Sequence, residues 1–265
     1  MNNHVLLLLE NLFFGIGVPT LLVLFLSLLS HRNKELISKD FGFMAQYYVG
    51  SFGVITHELS HALMALIFGQ KITAFHPLIN PKTHPNTDRL GYVSREWNSN
   101  SWYQNLGNLF IGIAPIFGCT LILYFILHFT MPNMYNLIMS LQDKPASLGG
   151  YDFKLLVLNA HLFSNTSNFS LILSIIGFLL IVSIVIGGFD LSTEDLLSTK
   201  SAYIVFCIIV SCICLIAAFF NLDASLNNWL FAFINTIGSL LSVSILTGLI
   251  IYFLLRIYSF IFVRP

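Results

Sequence analysis

The sequence predicts an all-α polytopic membrane protein, with about six transmembrane helices and a small β-hairpin after the second. Three observations carry that expectation. Of the 265 residues, 56% are hydrophobic and only 9% are charged, whereas soluble domains carry about a quarter charged residues. Six stretches approach the roughly 20 apolar residues that span a bilayer core, near 8–30, 43–69, 104–130, 169–189, 201–221 and 229–255. Between the second and third, two strand-like runs flank a turn-rich segment. The mean hydropathy of +0.82 agrees with the first two.

Taken in order, the first apolar run is too long for a signal peptide, lacks a basic start and is followed by no small-residue cleavage site, so it reads as a retained helix. Glu10 falls near its start, at the interface. HRNKELISKDFG, residues 31–42, reads as a short charged link. The second helix, 43–69, ends before KITAFHPL and RLGYVSREW, which pair as a hairpin around NPKTHPNTD over residues 71–98. His76 and His84 in this segment read as surface histidines. The third helix contains NLGNLFIGIAP, in which Pro115 kinks the helix or frees a carbonyl. Residues 131–168 form the longest loop, in which Met131, Met134, Tyr135 and Met139 suggest an interfacial amphipathic piece. Residues 190–200 make an acidic loop containing DLSTED, and 222–228 make a tight polar turn. The whole reads as one integral membrane domain, 1–265. A slight excess of loop Lys and Arg places the termini in the cytoplasm.

Composition also excludes partners. The formal net charge is zero, and no basic face for nucleic acid is visible. The four cysteines lie inside apolar runs and form neither a CxxC site nor a disulfide framework. The implied surroundings are the lipid bilayer, and the oligomeric state stays open.

Residues 53–69, GVITHELSHALMALIFG, place three ionisable side chains in the middle of an apolar helix. Each such group costs roughly 2.5–3.5 kcal/mol to insert, so an intramembrane cluster marks function. HELSH fits H-E-x-x-H. Residues four apart share a helix face, so His57 and His61 can offer two imidazole nitrogens to one ion. Glu58 beside them can act as general base on water activated by the metal. Zn2+ suits nitrogen and oxygen donors with an open fourth position. Catalytic zinc usually has three protein ligands. The remaining candidates are Asp195 and Asp190, where Gly187-Gly188 lets the chain dip inward after the fourth helix. Asp195 also fits a capping box with Ser192. His128 and His161 lie toward the opposite side and are excluded as ligands. The amide of Asn108 is a candidate substrate-binding group, able to steady a carbonyl, with interhelical hydrogen bonding as its other reading.

Thr56 to Ile72, THELSHALMALIFGQKI, resembles the metal-binding helix of site-2-type intramembrane zinc metalloproteases, above all their short bacterial members without PDZ or CBS domains. The similarity continues through GYVSREWNSNSWYQNLGNLFIGIAPIFG, residues 91–118, and returns at LSTEDL, residues 191–196. The resemblance implies a multi-pass protein of a bacterial inner (cell) membrane. It implies hydrolysis of peptide bonds in membrane-embedded protein or peptide substrates, with Glu58 as base. It favours Asp195 over Asp190, through an S-x-x-D string matched by Ser192 and Asp195. Two departures stand beside it. The N-x-x-P-x-x-x-L-D-G string of better-known members is missing, with GGFDLSTED at 187–195 the nearest segment, and Gly188 stands where similar proteins carry histidine. Two other classes remain open: a metal-binding membrane transporter or sensor using the same histidines, and a non-proteolytic member acting in a membrane assembly.

Overall fold

Residues 3–84, 87, 89–142 and 168–263 are described by a computed structural model, and helices dominate it. Helix α1 (Asn3–Leu12) runs through a π-helical turn (Phe13–Gly17) into α2 (Val18–Phe41). Pro19 cannot donate to the preceding turn, and the widened turn accommodates that loss. Then follow α3 (Phe43–Ile67), strands β1 (Lys71–His76) and β2 (Tyr92–Glu96), α4 (Trp102–Thr130) and α5 (Pro132–Gln142). After the undescribed segment come α6 (Asn168–Gly187), α7 (Thr193–Phe219) and α8 (Asp223–Tyr258), the last running into a second π-helical turn (Ser259–Val263).

Four helical stretches are long and apolar enough to cross a membrane: His4–Phe41, Trp102–Thr130, Phe169–Gly187 and Asp223–Phe262. Tyr203–Phe219 is a shorter apolar helix. Leu21, Phe129, Ile172, Leu215 and Ile250 are more than half exposed, which suits a surface facing lipid tails rather than water. The chain is therefore a helical membrane protein carrying a small antiparallel sheet. In that sheet Lys71 pairs with Glu96 and His76 with Tyr92, with an irregularity between Ile72 and Ala74.

Three expected loops are corrected. Residues 31–41 continue the first helix, because HRNKELISKDF holds no Gly or Pro and gains i,i+3 and i,i+4 pairs from Glu35 to Arg32 (2.8 Å) and His31 (3.3 Å). The helix stops only at Gly42, whose φ of +84° is open to glycine. The His4–Phe41 run is 38 residues long, or about 57 Å at 1.5 Å per residue, nearly twice a hydrocarbon core of about 30 Å. Its polar end, residues 31–41, must therefore leave the apolar layer. The acidic loop ends early, because Ser192 and Asp195 cap α7 from Thr193 onward. The turn at 222–228 shrinks to Phe220–Leu222, made possible by Asn221 at φ +56°, and α8 begins at Asp223.

The core gathers Leu26 of α2, Cys119, Leu123 and Leu127 of α4, Ile184 of α6 and Leu241 of α8. Met131, Met134, Tyr135 and Met139 pack against it, so α5 is docked on the bundle through the residues expected at an interface. The rest of the expected long loop, with His161, lies outside the described residues.

Helix α3 packs between α4 and α6. The α3–α6 approach is set by Gly53: a Cβ there would stand 2.2 Å from the Ser183 carbonyl oxygen and 2.7 Å from the Gly188 nitrogen. Gly53→Ala is expected to force the helices apart, at about 1–3 kcal/mol. Gly238→Ala in α8 meets no atom within 4 Å and is expected to be neutral or to gain about 0.5–1 kcal/mol. Thermal melting of the detergent-solubilised variants checks both. Equal melting temperatures for the two would remove the close-approach argument.

Candidate metal centre

Helix periodicity brings His57 and His61 onto one face, with Nε2 of each 3.0 Å from the other. Both are buried. Their other ring nitrogens meet carbonyl oxygens: Nδ1 of His57 lies 2.9 Å from Gly188 O, and Nδ1 of His61 lies 2.7 Å from Ile111 O. A carbonyl only accepts, so each imidazole donates from Nδ1. In the neutral form both then turn a bare Nε2 lone pair inward. Carbonyl partners of this kind fix tautomer and ring plane in metal-ligating histidines.

Both carbonyls are free for backbone reasons. Ile111 lies four residues before Pro115, which has no N–H to return to it. Gly188 follows the last residue of α6, where helix carbonyls lack intrahelical donors. It also accepts a weaker contact from Cys119 Sγ at 3.4 Å. The proline-bearing part of α4 and the end of α6 thus each orient one ring.

Asp195 completes the cluster. Its Oδ1 is 3.2 Å from His61 Nε2, and its Oδ2 is 3.8 Å from His57 Nε2. Oδ2 also accepts from the Ser192 N–H (2.9 Å) and Oγ–H (2.7 Å), while Ser192 Oγ accepts from the Asp195 N–H at 3.1 Å. The capping box and the approach to the histidines are therefore one arrangement: the cap fixes the carboxylate that faces the rings. Ligand atoms of His57, His61 and Asp195 all lie within 4.8 Å of one another. Donors 2.0–2.1 Å from a tetrahedral ion stand about 3.4 Å apart, and the three separations bracket that distance. Three acceptor sites converging in a buried place call for a cation between them. The residues fit a zinc ion.

Glu58 is buried beside the first histidine. Among the described residues it makes no hydrogen bond or ion pair. Gly91, just before β2, lies directly on it: a Cβ there would stand 2.8 Å from Glu58 Cγ. The cluster opens into a cavity of about 580 Å³, bounded by residues 89–95, the start of α7 and the polar half of α2.

The other expected site residues are placed elsewhere. Asp190 also borders the cavity but is paired there, 3.1 Å from Lys34 Nζ and 3.3 Å from His31 Nδ1. Asn108 is buried, and its Oδ1 accepts from Gln70 Nε2 (3.1 Å) and from Arg95 Nη1. It is not among the described residues lining the cavity. His128 sits at the end of α4 among Tyr124, Phe129 and Tyr135, and His76 and His84 are exposed. Sequence reasoning missed Arg95, which lines the cavity. Burial pulls its guanidinium below the ordinary arginine range, against the nearby charge of Asp195. Its signal was faint: an arginine in a strand otherwise read for pattern alone.

No protein-family model matches the chain, and neither a curated protein nor a solved structure is detectably similar to it.

Proposed function

We propose that the protein is an intramembrane zinc metalloprotease of the site-2 type, hydrolysing peptide bonds of membrane-embedded substrates. The observation that carries this reading is the division of labour among four side chains. His57, His61 and Asp195 converge and are held from outside by Ile111 O, Gly188 O and Ser192, while Glu58 stands beside them uncommitted. Such a centre would hold Zn2+ and leave a position open.

Bound there, zinc supplies a Lewis acid for the carbonyl and lowers the pKa of water to about 7. Glu58 takes a proton from the attacking water and delivers it to the departing amine nitrogen. β2 lines the cavity, and its edge not paired with β1 suits an extended substrate, whose carbonyls a helix would hide. In this reading α3 is itself a membrane span, one of six with the apolar part of α7. The termini are cytoplasmic, in a bacterial inner membrane. A transporter or sensor built on the same ligands would have no use for an uncommitted carboxylate at Glu58.

The test is cleavage of apolar reporter segments in proteoliposomes. Product from the zinc-loaded protein, lost on chelation and restored by zinc, is expected; a broad panel left intact argues for the transporter or sensor. Asp190→Asn is expected to keep metal at wild-type stoichiometry, because Asp190 answers Lys34 and His31 rather than the centre. Elemental analysis showing its metal lost would move the third ligand there.

A further inference from the structure

We infer that Arg95 is a carboxylate subsite, so that the substrate carries an acidic side chain three to five residues from the bond that is cut. This rests on the hydrolytic reading above. Among the described residues, two of the three Lys and Arg side chains that line the cavity are matched by carboxylates. Lys34 is matched by Asp190 at 3.1 Å, and Arg89 forms a two-point pair with Glu194 at 2.6 and 3.0 Å. Arg95, among the described cavity residues, is the Lys or Arg side chain with no carboxylate within ion-pair distance. A divalent ion at the centre offsets Asp195 and Glu58 and leaves the Arg95 charge over.

Arg95 is also pre-oriented. Its Nη1 donates to Gln70 Oε1 and Asn108 Oδ1, and its guanidinium lies 5.2 Å from the Trp97 ring centroid. Two neutral oxygens and an aromatic face hold the group without neutralising it. Nε and Nη2 donate no hydrogen bond among the described residues, which leaves donors for the two-point geometry that carboxylates favour. The buried amide of Asn108 thus acts as a positioning residue for Arg95.

Strand register sets the distance. Gly91 lies on Glu58, and residues 91, 93 and 95 share one face of the extended segment. Arg95 is four residues further along, about 13 Å at 3.3 Å per residue. A substrate strand added along the free edge of β2 keeps the same spacing, so its side chain at Arg95 stands about four residues from its bond at Glu58.

The experiment uses the full-length protein in nanodiscs. The probes are Val- and Thr-rich decapeptides with one Asp, Asn or Lys moved along the sequence. Binding is read on Glu58→Gln protein by Trp fluorescence, and cleavage on zinc-loaded wild type by mass spectrometry. Asp is expected to bind and be cut at least about tenfold better than Asn at one position, three to five residues from the bond. Arg95→Gln brings that ratio close to one, Arg95→Lys keeps part of it, and Arg95→Glu turns the preference to Lys. Wild type that shows no Asp preference overturns the subsite, as does Arg95→Gln that keeps the preference or slows every peptide equally. Asp-selective binding without cleavage would support the subsite and count against hydrolysis.

Discussion

Replacing His57 or His61 with alanine is expected to strip the purified protein of zinc and to weaken metal binding by at least about 100-fold. The scale follows from the outer partners: removing a group that merely orients a ligand already costs 10–100-fold in affinity, and these changes remove the ligand itself. Asp195→Ala belongs to the same class, because its carboxylate faces both rings at 3.2 and 3.8 Å. The effect should be visible in stability as well. Metal that binds only the folded chain adds about 4 kcal/mol at a thousandfold excess over its Kd. Added zinc should therefore raise the melting temperature of wild-type protein and leave that of His57→Ala almost unmoved. Asp195→Ala carries a second cost, the lost half of the capping box in which Asp195 Oδ2 accepts from Ser192, while the Ser192 Oγ cap on the Asp195 N–H stays. Asp195→Asn separates the two, since an amide keeps most of the cap and is a poor ligand. Wild-type protein purified without chelators and found to hold no divalent metal would end the metal reading. The two bare Nε2 atoms at 3.0 Å would then have to share a proton instead.

Much of this centre was legible in the linear chain, and the limits of that legibility have physical causes. H-E-x-x-H is a local pattern, because residues four apart on a helix must share a face. The hairpin was legible for the same reason, since alternation and turn residues act over a few positions. The third candidate ligand was not: choosing Asp195 over Asp190 needed the packing of α7 against α4 and the reach of the Asp195 carboxylate to both rings, a long-range matter that no spacing reveals. Here the resemblance pointed the same way as the geometry, while capping-box logic, taken alone, argued for a merely structural Asp195. The two readings were not competitors, because a side chain fixed by a cap is a good ligand. Pro115 was noticed as a residue that frees a carbonyl. Only the structure says that the carbonyl is Ile111 O and that His61 uses it. The loop errors share one origin. Polar composition was read as loop at 31–41, yet helix formation depends on backbone freedom and side-chain pairs, and nothing before Gly42 interrupts either.

Glu58→Gln is expected to keep the fold and the zinc, and to lower peptide hydrolysis by about 100- to 10,000-fold, the range supplied by a positioned proton-transfer group. The change is nearly isosteric, which matters at this place. Gly91 sits against Glu58 Cγ, closely enough that an added methyl on Gly91 would stand 2.8 Å away, so a bulkier substitution would displace β2 and confound the result. The candidate cluster of His57, His61 and Asp195 does not include Glu58, so metal content is expected to hold at the wild-type level. The amide cannot take a proton from the attacking water and has none to return to the departing amine. The loss should therefore fall on kcat, with KM close to wild type, because no contact that holds the substrate is removed. A reduced metal content would make Glu58 a ligand and reopen the role of Asp195. Cleavage near the wild-type rate, with zinc in place, would move the base to another residue. Asp190, already bordering the same cavity beside Lys34 and His31, would be the first carboxylate to test in its place.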